Sequence, residues 1–277
     1  MTNEWGSTRE NGLRLIFDMS DEDYFAHPRA SNSLLSELRK SPAHLQHAIA
    51  HPSDPTPAMR LGTAFHVATL EPRSFDDSWA RGSELSGRTK EGKAATAELE
   101  EQFDADKILK PDDYDTVCAM RDSVLSHPIA GELLQGLETE VAAFWVDDDS
   151  GIECKAKIDG YRHDGDCLID LKSTIDASPD HMAKAIVNFG YARQAAHYLN
   201  AFDDRDRFII IACEKKPPFA LGVYEISQAA ILHSAFEVQG LLLLWEQCID
   251  EFGWDKPWPS YGLGDGIIEL DLPPWAY

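Results

Sequence analysis

The chain has 277 residues, 43% of them hydrophobic and 26% charged, with a formal net charge of −23. That length allows one large α/β domain with additions or two small domains, and the composition is ordinary for a globular protein. The charge argues against a general polyanion-binding surface, so a nucleic-acid site would need a local basic patch or metal ions to offset the substrate's charge.

Five cysteines (Cys118, Cys154, Cys167, Cys213, Cys248) are odd in number and lack a C-x-x-C pair. They form neither a disulfide framework nor a zinc or iron–sulfur motif. The N-terminus shows no basic-then-apolar signal pattern and no apolar run approaches a membrane span, so the cytoplasm is the expected location.

Residues 1–30 are polar, with one apolar knot at Leu13 to Phe17 that suits a short strand. Ser31 offers an N-cap before Leu34, Leu35 and Leu38, and Ser41-Pro42 starts a second helix. His44, His47 and His51 have helical spacing but no carboxylate or cysteine cluster beside them, which points to surface histidines. Met59 to Leu70 reads as a compact helix on which Gly62 and His66 share a face, the glycine leaving bare backbone for close approach. A lone histidine on such a helix is ordinarily a core residue.

Gly87 to Lys93 is the most basic short run and reads as a loop, either phosphate-touching or merely solvated. Helices are expected at about 94–103 and 111–126, then a strand from Glu138 to Val146 with a turn at Asp147 to Ser150. Ile152 to Tyr161 alternates in character as a strand does, and Cys167 to Ser173 forms the return strand. Between them, Asp164-Gly165 suits a two-residue type I′ loop. That register sets Asp159 opposite Asp170 and Lys157 opposite Lys172. Like charges directly opposite are destabilising. A divalent cation between the carboxylates and an anionic substrate near the lysines would account for both pairs, and a solvated hairpin face is the alternative.

Ser178-Pro179 caps a long helix reaching about Phe202, with Tyr191, Gln194 and Tyr198 on one face. Strands follow at Arg207 to Cys213 and Ala220 to Ile226, then a long amphipathic helix from Gln228 to Phe252. The tail carries Trp254, Trp258 and Trp275 and a candidate strand at Ile267 to Leu270. Helices followed by β-β-β-α-β-β-α fit a mixed central sheet flanked by helices, α/β in class. The chain divides as one domain, with a helical extension at 1–56, a core at 57–252 and a Trp-rich tail at 253–277.

Asp159 with Asp170-Leu171-Lys172 forms the pattern D-x(10)-D-x-K. Phosphodiester hydrolysis needs a cation to polarise the phosphoryl oxygen and deliver hydroxide, and hard carboxylate ligands suit Mg²⁺. Period 2 sets Asp170 and Lys172 on one side of their strand. There the acid can hold metal, the lysine can assist the nucleophilic water, and the Leu171 carbonyl is a further candidate ligand.

Taken with Gly62-Thr-Ala-Phe-His66 and Gln194-Ala-Ala-His-Tyr198, these residues resemble the PD-(D/E)XK nuclease superfamily. The nearest branch is the RecB/RecE-like one, of exodeoxyribonuclease VIII type. The resemblance spans about residues 20–250 and includes the Ser33 to His44 helix. It implies a restriction-endonuclease-like core in which His66, Asp159, Asp170 and the Leu171 carbonyl bind Mg²⁺, with Mn²⁺ able to substitute. Lys172 assists the attacking water, and Gln194 and Tyr198 brace the site or the scissile phosphate. Lys155, Lys157, Tyr191, Arg193 and Thr174 are weaker candidates for DNA contact, and the hydroxyls of Ser173 and Thr174 are candidates to orient the groups behind the ligands. The four-cysteine iron–sulfur cage of some relatives is absent.

The resemblance implies a phage or prophage exonuclease that degrades duplex DNA ends 5′ to 3′. It would leave 3′ single strands for a single-strand annealing protein, acting as a homo-oligomer for which a ring is one form, and without a membrane partner. The alternatives are a structure-specific or single-strand endonuclease, a non-catalytic DNA-end-binding protein, or coincidental motifs. A structure placing His66 more than about 6 Å from both aspartates would favour coincidence, since a shared ion needs ligands closer than that.

Overall fold

A computed structural model describes residues 12–86, 88–261, 267 and 269–272. The N-terminal part runs β1 (Arg14–Ile16), α1 (Asp21–Ala26), α2 (Asn32–Leu38), α3 (Pro42–Ala50), α4 (Pro57–Leu70) and α5 (Pro72–Ser78). A two-stranded parallel pair, β2 (Ala80–Arg81) and β3 (Ile108–Leu109), brackets α6 (Lys90–Glu100), and α7 (Pro111–Ser126) and α8 (Pro128–Leu133) follow. Then come β4 (Glu138–Val146), β5 (Glu153–Tyr161), β6 (Cys167–Thr174), α9 (Pro179–Asn188), α10 (Tyr191–Leu199), β7 (Arg207–Glu214), β8 (Leu221–Glu225) and α11 (Gln228–Phe252).

The main sheet has the order β1-β4-β5-β6-β7-β8, antiparallel throughout except for the parallel β6–β7 pair. A parallel neighbour requires a crossover, and α9 and α10 supply it. Strands β6 and β7 are buried on both faces, and their side chains divide by period 2. Leu168, Phe208, Ile210 and Ala212 join one core with α10, α11 and the N-terminal Leu35, Leu38 and Leu45. Ile169, Leu171, Ile209, Ile211 and Cys213 join the other, against Ala64 and Phe65 of α4 and Val117 and Met120 of α7. The site sequence D-L-K therefore sits mid-sheet, walled by helices on both sides.

The expected mixed sheet and the bounds of β4, α7 and α11 are borne out. Four local expectations are corrected. The hairpin turn is not a two-residue type I′ loop: Arg162 to Asp166 connect the strands, and neither Asp164 nor Gly165 has the positive φ that type requires. Instead Gly165 N–H donates to the Arg162 carbonyl, and buried Arg205 donates 2.8 Å bonds to the carbonyls of both Arg162 and Gly165. The helix expected through 178–202 is broken at Gly190, whose φ of +68° is left-handed. The basic run is no loop beyond its first residues, because Thr89 caps α6 and Lys90 to Lys93 lie within it. The tail strand at 267–270 falls partly outside the described residues, and its described positions are exposed and form no strand. Trp254 stacks on buried Trp258 at 4.9 Å, while Trp275 lies outside the described residues.

Candidate active site

Strands β5 and β6 pair at a single rung, Gly160 opposite Ile169. This is the neighbour of the expected Asp159–Asp170 rung, so the register holds, but the ladder ends there. A Cβ on Gly160 would lie 2.7 Å from the Leu137 side chain and 3.1 Å from Ile169 Cβ. Glycine is what lets the strands approach before they part.

Beyond that rung the two aspartates turn to different partners. The Asp159 carboxylate accepts the Leu171 N–H at 2.7 Å, and His66 Nδ1 of α4 lies 3.4 Å from the same oxygen. That distance lies inside the about 6 Å beyond which coincidental motifs would be favoured. A strand residue's N–H and C=O point the same way, so the Leu171 carbonyl faces the same edge. Asp170 is 2% exposed. Its Oδ1 accepts bonds from Gln194 Nε2 (2.6 Å) and Lys172 Nζ (2.9 Å). Its Oδ2 lies 2.7 Å from the Lys172 ammonium as an ionic contact, but no donor is directed at it. The Tyr198 phenol hydrogen-bonds Gln194 and its ring packs edge-on against Phe208. Lys172 Nζ also lies 5.2 Å from the Tyr191 ring centroid.

Charge states follow from these contacts. Burial opposes charging His66, but the Asp159 carboxylate outweighs it and raises the imidazole's pKa. Asp159 is held below its ordinary value despite burial, through His66, Lys172 and the Leu171 N–H. Asp170 is raised, first by burial and then by Asp159, with Lys172 opposing. Burial disfavours the Lys172 ammonium, yet the two aspartates raise its pKa overall.

Glu140 of β4 was not singled out by the sequence. It carries a φ of +53°, and among the described residues it alone joins His66 and Asp159 in a trio whose ligand atoms lie within 4.8 Å of one another. Asp170 stands outside that trio. Glu140 also pairs with Lys157 at 3.0 Å, and Lys157 is bonded in turn to Asp21 of α1. The signal was present but non-local: Thr139 pairs with Gly160 and Val141 with Ile158, so Glu140 and Asp159 are opposed like charges, found only once β4 is in register with β5.

The expected DNA-contact residues are differently placed. Lys155 is buried and gives its ammonium to the carbonyls of Tyr24 and His27. Arg193 is buried and bonded to Asn32, Ser36 and Glu237. Neither presents a free cation to a phosphate. Thr174 Oγ1 donates to the Asp176 carbonyl and accepts its N–H. Gly62 is less demanding than expected, since a Cβ there would meet only Ser173 Oγ, at 3.9 Å. His47 stacks on His51, and His44 Nδ1 meets Ser41 Oγ, with no metal trio among these.

The donor set is an imidazole, carboxylates, a carbonyl edge and one buried carboxylate oxygen without a directed donor. These are hard, mostly anionic ligands, and they fit a divalent cation of the Mg²⁺ or Mn²⁺ kind.

A family model and the superposition with a Eubacterium rectale protein agree with this architecture. No curated protein matches the sequence. Among solved structures, a Eubacterium rectale protein named as a candidate exonuclease superposes with a TM-score of 0.59 at 13% identity, covering 94% of this chain and 98% of its own. An alkaline exonuclease from Laribacter hongkongensis superposes with a TM-score of 0.30 at 14% identity, covering 68% of this chain and 88% of its own. The model of the family described as "PDDEXK-like domain of unknown function (DUF3799)" matches residues 31–257, which span β4 to β8 of the sheet, the helices from α2 to α11 and the site. The chain belongs to that PDDEXK-like family.

Proposed function

We propose that the protein is a metal-dependent DNA exonuclease that hydrolyses phosphodiester bonds from duplex ends. The observation that carries the reading is the convergence, where β5 and β6 part, of His66 and Asp159 with the Asp170–Lys172–Gln194 cluster. A phosphodiester hydrolase needs hard ligands beside a fixed ammonium, buried enough to hold their geometry.

In this reading His66, Asp159, Asp170 and the Leu171 carbonyl would hold Mg²⁺ or Mn²⁺. When bound, the ion supplies Lewis acidity and a water acidic enough to attack at neutral pH. Lys172 keeps its ammonium beside Asp170, where it orients the nucleophile and offsets charge gathering on phosphorus. Gln194 fixes Asp170 and is itself fixed by Tyr198, so the Gln-x-x-x-Tyr pair positions the acid. Tyr191, whose ring lies beside Lys172, would meet the nucleotide next to the scissile bond. Resemblance to RecE-type nucleases supports 5′ to 3′ polarity, 3′ single-strand products, an annealing partner and a ring-shaped oligomer.

Digestion of linear and covalently closed duplex, labelled at either end and supplied with Mg²⁺, tests the proposal. Linear duplex is expected to shorten from the labelled 5′ end while closed circles survive. Asp170→Ala and Lys172→Ala are each expected to lower the rate at least about a hundredfold. Cutting of closed circles would overturn the exonuclease reading, and undiminished variants would overturn the site assignment.

A further inference from the structure

Resting on that metal-dependent reading, we propose that Glu140 is a direct ligand of the divalent cation, kept ready in the metal-free protein by Lys157. The D-x(10)-D-x-K pattern does not include this residue, which lies a strand earlier.

Three observations converge. Ligand atoms of Glu140, His66 and Asp159 lie within 4.8 Å of one another. Ligands of one Mg²⁺ sit about 2.0–2.1 Å from the ion, hence at most about 4.2 Å apart, so only small side-chain rotations separate this trio from coordination. Asp170 is meanwhile engaged by Lys172 and Gln194.

The backbone is shaped for the same end. The β4–β5 ladder runs in register on both sides of Glu140, with Thr139 opposite Gly160 and Val141 opposite Ile158. No residue is inserted, yet Glu140 alone takes a left-handed φ of +53° in mid-strand. Non-glycine residues adopt that conformation rarely, and where they do, the surrounding structure is imposing a side-chain direction.

Lys157 explains how the arrangement survives without metal. Its ammonium lies 3.0 Å from Glu140 and is also bonded to Asp21. With two anionic partners, it can surrender Glu140 to an incoming cation and keep Asp21. Glu140 thus exchanges an internal cation for a metal, and Asp21 ties the N-terminal helix α1 to that exchange.

Calorimetric titration of the full chain with Mn²⁺, without DNA, tests this. Wild type is expected to bind Mn²⁺, and Glu140→Gln to bind at least about tenfold more weakly. Glu140→Asp should recover part of the loss, and Lys157→Met should tighten binding by removing the competing ammonium. The metal-free melting temperature of Glu140→Gln should not fall, because the variant relieves a like-charge pair. Should wild type bind Mn²⁺ and Glu140→Gln bind it equally well, Glu140 is no ligand and only this inference fails. Should wild type bind no Mn²⁺, the metal-dependent reading itself fails. If Glu140→Gln proves unfolded, Lys157→Met decides: unchanged or weaker Mn²⁺ binding refutes the exchange.

Discussion

Asp159 and Asp170 carry opposite pKa directions although they flank one gap between strands. Asp159 faces a histidine and a backbone N–H, both of which favour its charged form. Asp170 is enclosed more deeply and feels Asp159 as a like charge. Two buried carboxylates with such different partners do not form a solvated hairpin face, and opposed environments of this kind are what an acid–base or metal site uses. His197 makes a contrasting case one helix face away. It is fully buried, its Nε2 meets the carbonyls of Ala30 and Lys155 at 3.2 Å, its Nδ1 has no partner, and burial pushes its pKa down to about 4. Its folded pKa lies below the unfolded value, so its contribution is intact above about pH 6.5 and is lost as pH falls toward 4. At pH 5 the loss should be about 2 kcal/mol. Urea denaturation at pH 7 and pH 5 checks this: His197→Gln, though less stable at pH 7, should lose less on acidification than wild type.

At the scale of elements, two glycines predict opposite outcomes. Gly190 separates α9 from α10 in a left-handed conformation, and a Cβ there would lie 2.5 Å from Arg193 Nη2. Gly190→Ala should therefore cost about 1–2 kcal/mol and loosen the bonds from Arg193 to α2. Gly62 lies inside α4 with room for a methyl group, so Gly62→Ala should raise stability by about 0.5–1 kcal/mol through helix propensity. Denaturant midpoints of the two variants, one falling and one rising, test both. The break at Gly190 has a consequence for the site. It starts α10 afresh at Tyr191, so that Gln194 and Tyr198 approach Asp170 from a helix whose direction α9 does not dictate. Nothing in the periodicity of 178–202 marks the break, because a single glycine within a helical pattern is compatible with continuation.

Across the whole molecule, the proposed function sets a net charge of −23 against a polyanionic substrate. Lys155 and Arg193 are spent on carbonyls and internal partners, and Lys157 on Asp21 and Glu140. Under that proposal, divalent cations at the site would serve substrate binding as well as chemistry. A labelled duplex followed by fluorescence anisotropy should bind at least about tenfold more tightly in Ca²⁺, a hard cation used here as a non-cleaving probe, than in EDTA. Equal affinity in both would show that a basic surface, not the metal, holds DNA.

Local patterns were legible in the residues: the alternation of 152–161, the amphipathic run of 228–252, the caps at Ser31, Ser41 and Ser178, and the motif order that identified the family. Each depends on neighbours in sequence, through side-chain period or a hydrogen bond within one turn. The short α1, α5 and α8 and the two-residue β2 and β3 were not legible, since elements that small owe their existence to packing. The opposition of Asp159 and Asp170 was half legible. Register placed them side by side, but the parting of β5 and β6 assigned one to His66 and the other to Lys172 and Gln194. Glu140 belongs wholly to the tertiary structure. Its carboxylate reaches the site through the pairing of a third strand and one left-handed residue, and neither leaves a mark in the spacing of the motif.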